Sequence, residues 1–232
     1  LASGATYLEA VVHGLYEAIE RHYESLFERG LLAVEALHEE ELADERIHRI
    51  ARQSKGDLEL QLYAFELADL KKNLPMVAAL LVGGELTFEG FGCSGNVAMS
   101  IDRAISEVCQ AAATYEHGTR EDIVRIKANA RSFFDATPQP AMRTLRVADF
   151  AKRAHDKTFT TVRQEYSFLL RFAHSLGVDR IFGGSARQTK TDSPVVKVVC
   201  SGLELPQRLR RDKGRSPNVI AQQFPSMMGG AL

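Results

Sequence analysis

The sequence predicts an α+β fold of mixed helices and antiparallel sheet, and three observations carry that reading. Residues 6–28 and 97–114 each place apolar side chains at the 3.6-residue spacing of an amphipathic helix. Leu58, Leu60, Leu62 and Ala64 alternate with Glu59, Gln61 and Tyr63, the period-two signature of a half-buried strand. Pro75–Val82 is a continuous apolar run that meets the alternating stretch Leu86–Phe91 across Gly83-Gly84, which reads as an antiparallel hairpin.

In chain order, the first helix carries Leu8, Val11, Val12, Leu15, Ile19 and Leu26, and Gly30 supplies its stop. Glu35–Ala51, with acidic residues dense in its first half, predicts a second helix ended by the turn Ser54-Lys55-Gly56-Asp57. After the strand at 58–64 and the hairpin, Gly92-Cys93-Ser94-Gly95-Asn96 leads into the helix bearing Ile101, Ala104, Ile105, Val108, Cys109 and Ala112. Thr137-Pro138-Gln139-Pro140 is a break, the candidate sub-boundary of the chain. Val147–Ala154 and Thr161–Leu176 read as helices, and Val178–Ile181 and Val195–Val199 as short buried strands. The last thirty residues lose periodicity and hold a basic cluster, Arg208, Arg210, Arg211, Lys213 and Arg215, read as a solvated tail.

Composition narrows the classes. At 232 residues, against about 150 per domain, one large domain or two small ones are open. Twenty-nine basic against 30 acidic residues leave a net charge of −1, so no general attraction to nucleic acid is expected. No apolar run reaches the ~18–20 residues of a membrane span, and no signal peptide is visible, which gives a cytoplasmic expectation. Three cysteines, Cys93, Cys109 and Cys200, form no CxxC and fit neither a disulfide framework nor a zinc site; they read as reduced thiols. His38, His48, His117, His155 and His174 lack HxxxH or HExxH spacing and receive no metal role.

The polar faces of the two long helices are where chemistry could sit. Opposite the stripe of Leu8, Leu15 and Ile19 lie His13, Glu17, Glu20 and Glu24. Like charges three and four apart cost a helix a few tenths of a kcal/mol each, so such a face meets either solvent, with Arg21 pairing to Glu17, or a cation. The later helix sets Arg103, Glu107 and Gln110 on one stripe. If both stripes lined one cleft, Glu17, Glu20 and Glu107 would meet, a carboxylate set suited to Mg2+ with phosphate completing its shell. Arg103 and Arg120 would then be the phosphate partners, because guanidinium forks match phosphate oxygens.

These same residues carry a resemblance. Ser3-Gly4-Ala5-Thr6 followed by Glu17-Ala18-Ile19-Glu20-Arg21 is similar to the "SGNT…ExxER" segment of the YcaO family. Gly90-Phe91-Gly92, then Arg103, Glu107 and Gln110, then Gly118-Thr119-Arg120-Glu121-Asp122, resembles that family's "GxG…RAxxExxQ…GxRxD" block. Ser193-Pro194-Val195-Val196-Lys197-Val198-Val199 and Gly202-Leu203-Glu204 resemble its "iPVVkVvvPGLE" strand. The resemblance implies a YcaO-like fold and ATP- and Mg2+-dependent phosphorylation of backbone amides in a peptide or protein, leading to azolines, thioamides or amidines. It implies Glu17, Glu20 and Glu107 as holders of Mg2+ and phosphate, with Gln110, Arg120 and Arg103 contacting the nucleotide. It also implies a partner protein for substrate delivery and a homodimer. Ala5 and Ala112 stand where the family often has Asn and a basic residue, and the chain ends without the PxPxP of peptide cyclodehydratases. The expectation is therefore a single YcaO-like domain, residues 1–232, lacking its N-terminal part. The alternative is a non-catalytic homologue or accessory protein in ribosomal-protein or peptide modification.

Overall fold

The computed structural model describes residues 1–29, 31–37, 59–67, 74–83, 86–116, 144–154, 156–185 and 193–205. Its elements run β1 (Ala2–Ser3), α1 (Tyr7–Glu28), β2 (Ala33–Leu37), β3 (Glu59–Glu66), β4 (Met76–Gly83), β5 (Leu86–Cys93), α2 (Val97–Glu116), β6 (Thr144–Leu145), α3 (Val147–Ala154), α4 (Val162–Ser175), β7 (Ile181–Ser185) and β8 (Val195–Cys200). Helices and antiparallel pairs are mixed, as the periodicity predicts. The chain divides into two units, one of Leu1–Glu28 with Thr160–Leu232 and one of Arg29–Phe159. The expected break at 137–140 lies outside the described residues.

The first unit is a three-stranded antiparallel sheet, β1-β8-β7, with α1 packed on β8 and α4 on α1. Alternation along β8 turns Val196, Val198 and Cys200 to one face, and there Gly14 lets α1 approach. A Cβ at Gly14 would stand 2.5 Å from Val198 Cγ2. Helix α4 starts at Thr161, whose hydroxyl accepts the Gln164 N–H at 3.2 Å. It ends in a Schellman motif: Gly177, at φ +87°, donates to His174 O at 3.0 Å and Val178 to Ala173 O at 3.1 Å. That motif corrects one expectation. Val178 is apolar and buried, but its N–H closes the helix, so the strand begins at Ile181 rather than Val178.

The second unit is a five-stranded sheet ordered β5-β4-β3-β2-β6, antiparallel except for the parallel β2–β6 pair. The hairpin is present with Gly83 opposite Leu86. Leu60, Leu62 and Ala64 sit opposite Leu81, Ala79 and Val77 and form one apolar face. That face packs with Val97, Ile101, Ala104, Ile105 and Val108 of α2 and with Phe150 of α3. A fully buried phenylalanine such as Phe150 is worth about 3–5 kcal/mol against alanine.

The expected helix at Glu35–Ala51 is corrected at its start. Glu35–Leu37 belong to β2, paired with β3 on one side and β6 on the other. Alternating burial there, with Glu35 and Leu37 inside, is strand periodicity that the acidic composition hid. Glu35 is buried because Arg153 of α3 donates to it at 2.9 Å. The rest of that stretch, and the Arg208–Arg215 cluster, lie outside the described residues.

Candidate functional site

Helix α1 is built to be held firmly at its start. Thr6 and Glu9 form a capping box: Glu9 Oε2 accepts the Thr6 N–H at 2.8 Å and Thr6 Oγ1 accepts the Glu9 N–H at 3.2 Å. One turn on, His13 Nδ1 lies 2.8 Å from the Ser3 carbonyl, tying the helix to β1. Because a carbonyl only accepts, the proton of this bond is on Nδ1.

Beyond that turn the helix becomes strongly acidic. Glu17 is 41% exposed. Glu20 and Glu24 are 3% and 0% exposed. This corrects the solvated reading of the face for both residues. Periodicity identifies which side of a helix is apolar, but Tyr16, Tyr23, Ser25 and Phe27 are also inside, so α1 is enclosed well beyond its apolar stripe. The expected Arg21–Glu17 pair is corrected as well. Arg21 donates to Glu24 Oε2 at 2.8 Å, three residues on, and lies 3.7 Å from Glu20.

On the flank of α1 next to Arg21 sit His22 and Ser25. The Glu204 N–H donates to His22 Nδ1 at 3.1 Å, and the Ser25 hydroxyl lies 3.4 Å from Glu204 Oε2. Burial pushes the His22 pKa below its ordinary value, while the Glu204 carboxylate pulls the other way. Sequence reasoning placed Glu204 in a motif without a role and did not single out His22 or Ser25. Both flank the ExxER segment, and the contact to Glu204 spans 182 residues, which no local pattern reports.

In the second unit, α2 carries Arg103, Glu107 and Gln110. Arg103 and Glu107 are partly buried, and Gln110 is exposed. Glu107 Oε2 accepts the Phe91 N–H of β5 at 2.8 Å, a charge-assisted bond. The close approach that permits it comes from Gly90 and Gly92, which share the α2-facing side of β5. A Cβ at Gly92 would stand 2.0 Å from Ser100 O, and one at Gly90 2.4 Å from Ala104 O. At the start of α2, Asn96 Oδ1 accepts the Met99 N–H at 2.8 Å, and Asp156 accepts the Val97 N–H at 3.0 Å.

The structure thus gathers Glu17 and Glu20, with Glu24, on one helix of the first unit, and Arg103, Glu107 and Gln110 on one helix of the second. Arg120 lies outside the described residues. Among the described residues, no three His, Cys, Asp or Glu side chains stand close enough together to hold a metal ion as they are placed. None of the three cysteines forms a disulfide, and burial pushes the Cys200 thiol up to about 11. No described helix is long and apolar enough to cross a membrane.

Comparison with known proteins bears on both helices. A family model described as YcaO cyclodehydratase, ATP- and Mg2+-binding, matches residues 1–204. A protein of Methanothermobacter thermautotrophicus is 28% identical over 228 residues, covering 91% of this chain and 57% of that protein. A Mycobacterium tuberculosis protein is 32% identical over 127 residues, 53% of this chain and 28% of its own length. The chain therefore spans between about a quarter and just over half of these relatives. The structure of YcaO from Methanopyrus kandleri bound with AMPPCP and Mg2+ matches with a TM-score of 0.68 at 21% identity, over 93% of this chain and 57% of that one. The heterocyclase TruD matches with a TM-score of 0.59 at 19% identity, over 88% of this chain and 28% of that one.

Proposed function

The chain belongs to the YcaO family, and from that membership we propose that it activates backbone amides of a peptide or protein by ATP- and Mg2+-dependent phosphoryl transfer to the amide oxygen. The observation that carries the proposal is the composition of α1. It holds five carboxylates, Glu9, Glu17, Glu20, Glu24 and Glu28, against the one guanidinium of Arg21, and no basic residue in its last turn. Of these, Glu28 in the last turn faces the negative end of the helix dipole, at about 0.3–1 kcal/mol on the surface. Burial of Glu20 and Glu24 adds a desolvation cost. A helix that needed only to fold would not accumulate both.

The donor set fits a hard divalent cation. Its ligating atoms are carboxylate oxygens, neither thiolates nor a spaced imidazole pair, which suits Mg2+ completed by phosphate oxygens. On this reading Glu17, Glu20 and Glu107 hold the Mg2+ and its phosphates, and Arg103, Gln110 and Arg120 contact the nucleotide. When bound, MgATP supplies the phosphoryl group that makes the amide oxygen a leaving group. The side chains themselves orient and neutralise: carboxylates fix the cation, and guanidinium groups take up charge on the phosphate oxygens. Azoline, thioamide or amidine products, a delivering partner protein, a homodimer and a cytoplasmic setting belong to the same proposal.

Calorimetric titration with MgATP tests it. Binding is expected, and both Glu17→Ala and Glu107→Gln should abolish nucleotide-dependent phosphate release while leaving the circular dichroism spectrum intact. Absence of heat at millimolar MgATP would overturn the enzymatic reading, and binding without turnover would favour the non-catalytic homologue.

A further inference from the structure

The Gly202-Leu203-Glu204 segment has no part in holding nucleotide or metal on the reading above, yet its contacts are specific. It follows β8, the strand against which α1 packs, and turns back toward that helix. Gly202 makes the turn at φ +95°, where a Cβ would also meet Gly177 O at 2.8 Å. Glu204 then reaches α1 twice, by its backbone N–H to His22 Nδ1 at 3.1 Å and by its carboxylate to Ser25 Oγ at 3.4 Å. Ser25 is 1% exposed, so this contact lies inside the unit.

Helix geometry says what those two points govern. At about 100° per residue, Glu17, Glu20 and Glu24 fall within a sector of about 60°. Gly14, Ser25 and His22 lie at about 90° to 170° from its centre, with Arg21 between the two groups. Gly14 against Val198 fixes the distance of the helix from the sheet near its middle. The first half of the helix is also held by the Thr6–Glu9 capping box, by His13 against Ser3 O, and by the Tyr16 hydroxyl, which donates to Glu165 of α4 at 2.7 Å. Contacts at His22 and Ser25, about two and three turns beyond Gly14, fix the rotation of its second half.

We propose that Glu204 is a positioning residue: by gripping His22 and Ser25 it sets the rotation of the second half of α1 and so aims Glu17 and Glu20 at the bound Mg2+–nucleotide. The proposal rests on the nucleotide reading given above. A roll of about 20° carries a carboxylate about 6 Å from the helix axis through about 2 Å. A displacement of even about 1 Å at a positioned group can cost about 100-fold in rate.

The test uses the chain, MgATP as the probe, calorimetry for affinity and thermal denaturation for the fold. His22→Leu removes the acceptor for the Glu204 N–H and should weaken MgATP binding about tenfold or more. His22→Asn keeps an acceptor oxygen at a comparable reach and should restore most of it. Glu204→Ala should weaken binding about three- to tenfold, and Glu204→Gln, whose amide oxygen still accepts from Ser25, should restore it. A purely structural contact would lower the melting temperature without this split between conservative and non-conservative variants. If His22→Leu does not fold, Glu204→Ala decides, because it leaves the backbone donor in place. Folded His22→Leu and Glu204→Ala variants that bind MgATP within about twofold of the unaltered chain would overturn the positioning role alone. Equal loss in the conservative and non-conservative variants would also overturn it. No binding by the unaltered chain would remove the nucleotide reading and this inference together.

Discussion

Helices α1 and α2 are nearly matched in length and amphipathicity, yet they treat their carboxylates in opposite ways. On α2, Glu107 gives one oxygen to a backbone N–H of the neighbouring strand, so its charge helps to seat the helix on β5. On α1, Glu20 and Glu24 lie inside a helix whose only guanidinium, Arg21, serves both. The first arrangement adds to stability by itself. The second concentrates buried charge around one guanidinium, on the face that the proposed function assigns to a cation.

The two helices also make their close approaches differently, and this gives the largest expected effect. Gly90 and Gly92 abut helix backbone, which cannot move aside, whereas Gly14 abuts a valine side chain. Gly92→Val should abolish cooperative folding of the second unit, a loss above about 4 kcal/mol, seen as missing soluble protein or a flat thermal melt. A stable, soluble Gly92→Val protein would break the contrast.

Next comes Glu107, which seats α2 on β5 and is also a proposed ligand. Glu107→Ala should lose about 1.5–3 kcal/mol of stability with the charge-assisted bond to Phe91, together with MgATP turnover. Glu107→Gln should keep most of the stability and still lose the turnover. If the two variants lose turnover only in proportion to stability, Glu107 is a packing residue and the two helices are less alike in function than proposed.

Gly14→Ala should cost about 1–3 kcal/mol, because the added methyl meets Val198 Cγ2 rather than backbone. Val198→Ala in the same chain should recover a substantial part, a coupling measurable by denaturant unfolding of the single and double variants. Purely additive losses would show that α1 does not rest on β8 through this pair.

How much of this was legible in the sequence follows from which interactions are local. Both long helices, the hairpin and β8 are written in side-chain period, and α1 and α2 occupy Tyr7–Glu28 and Val97–Glu116. The start of β2 was missed because Glu35 reads as a helical acid until Arg153, 118 residues away, makes it a buried strand residue. Val178 was misread because apolar character does not reveal that its N–H serves a helix cap. The candidate ligands could be grouped by face, since a face is a matter of spacing. That Glu20 and Glu24 are inside, and that Glu204 reaches His22, depends on what the rest of the chain brings against α1, and spacing carries no such information.

The smallest effect probes whether the β8 side of α1 stays dry. Cys200 lies on the alternation of Val196 and Val198, and burial lifts its thiol from 9.0 to about 11. A folded-state pKa above the unfolded value means that the folded form holds its proton longer. Its contribution is complete below pH 9 and is lost as pH rises through about 11. A rise from 9.0 to about 11 corresponds to about 2.7 kcal/mol, reduced to about 1 kcal/mol because Cys200 keeps some contact with solvent. Between pH 9 and 11 the chain should therefore lose about 1 kcal/mol more stability than its Cys200→Ser variant, measured by urea unfolding at each pH. Other alkaline titrations cancel in that difference. Parallel curves would mean that water reaches this face of β8, and the rigid seat from which the carboxylates of α1 are aimed would be lost with it.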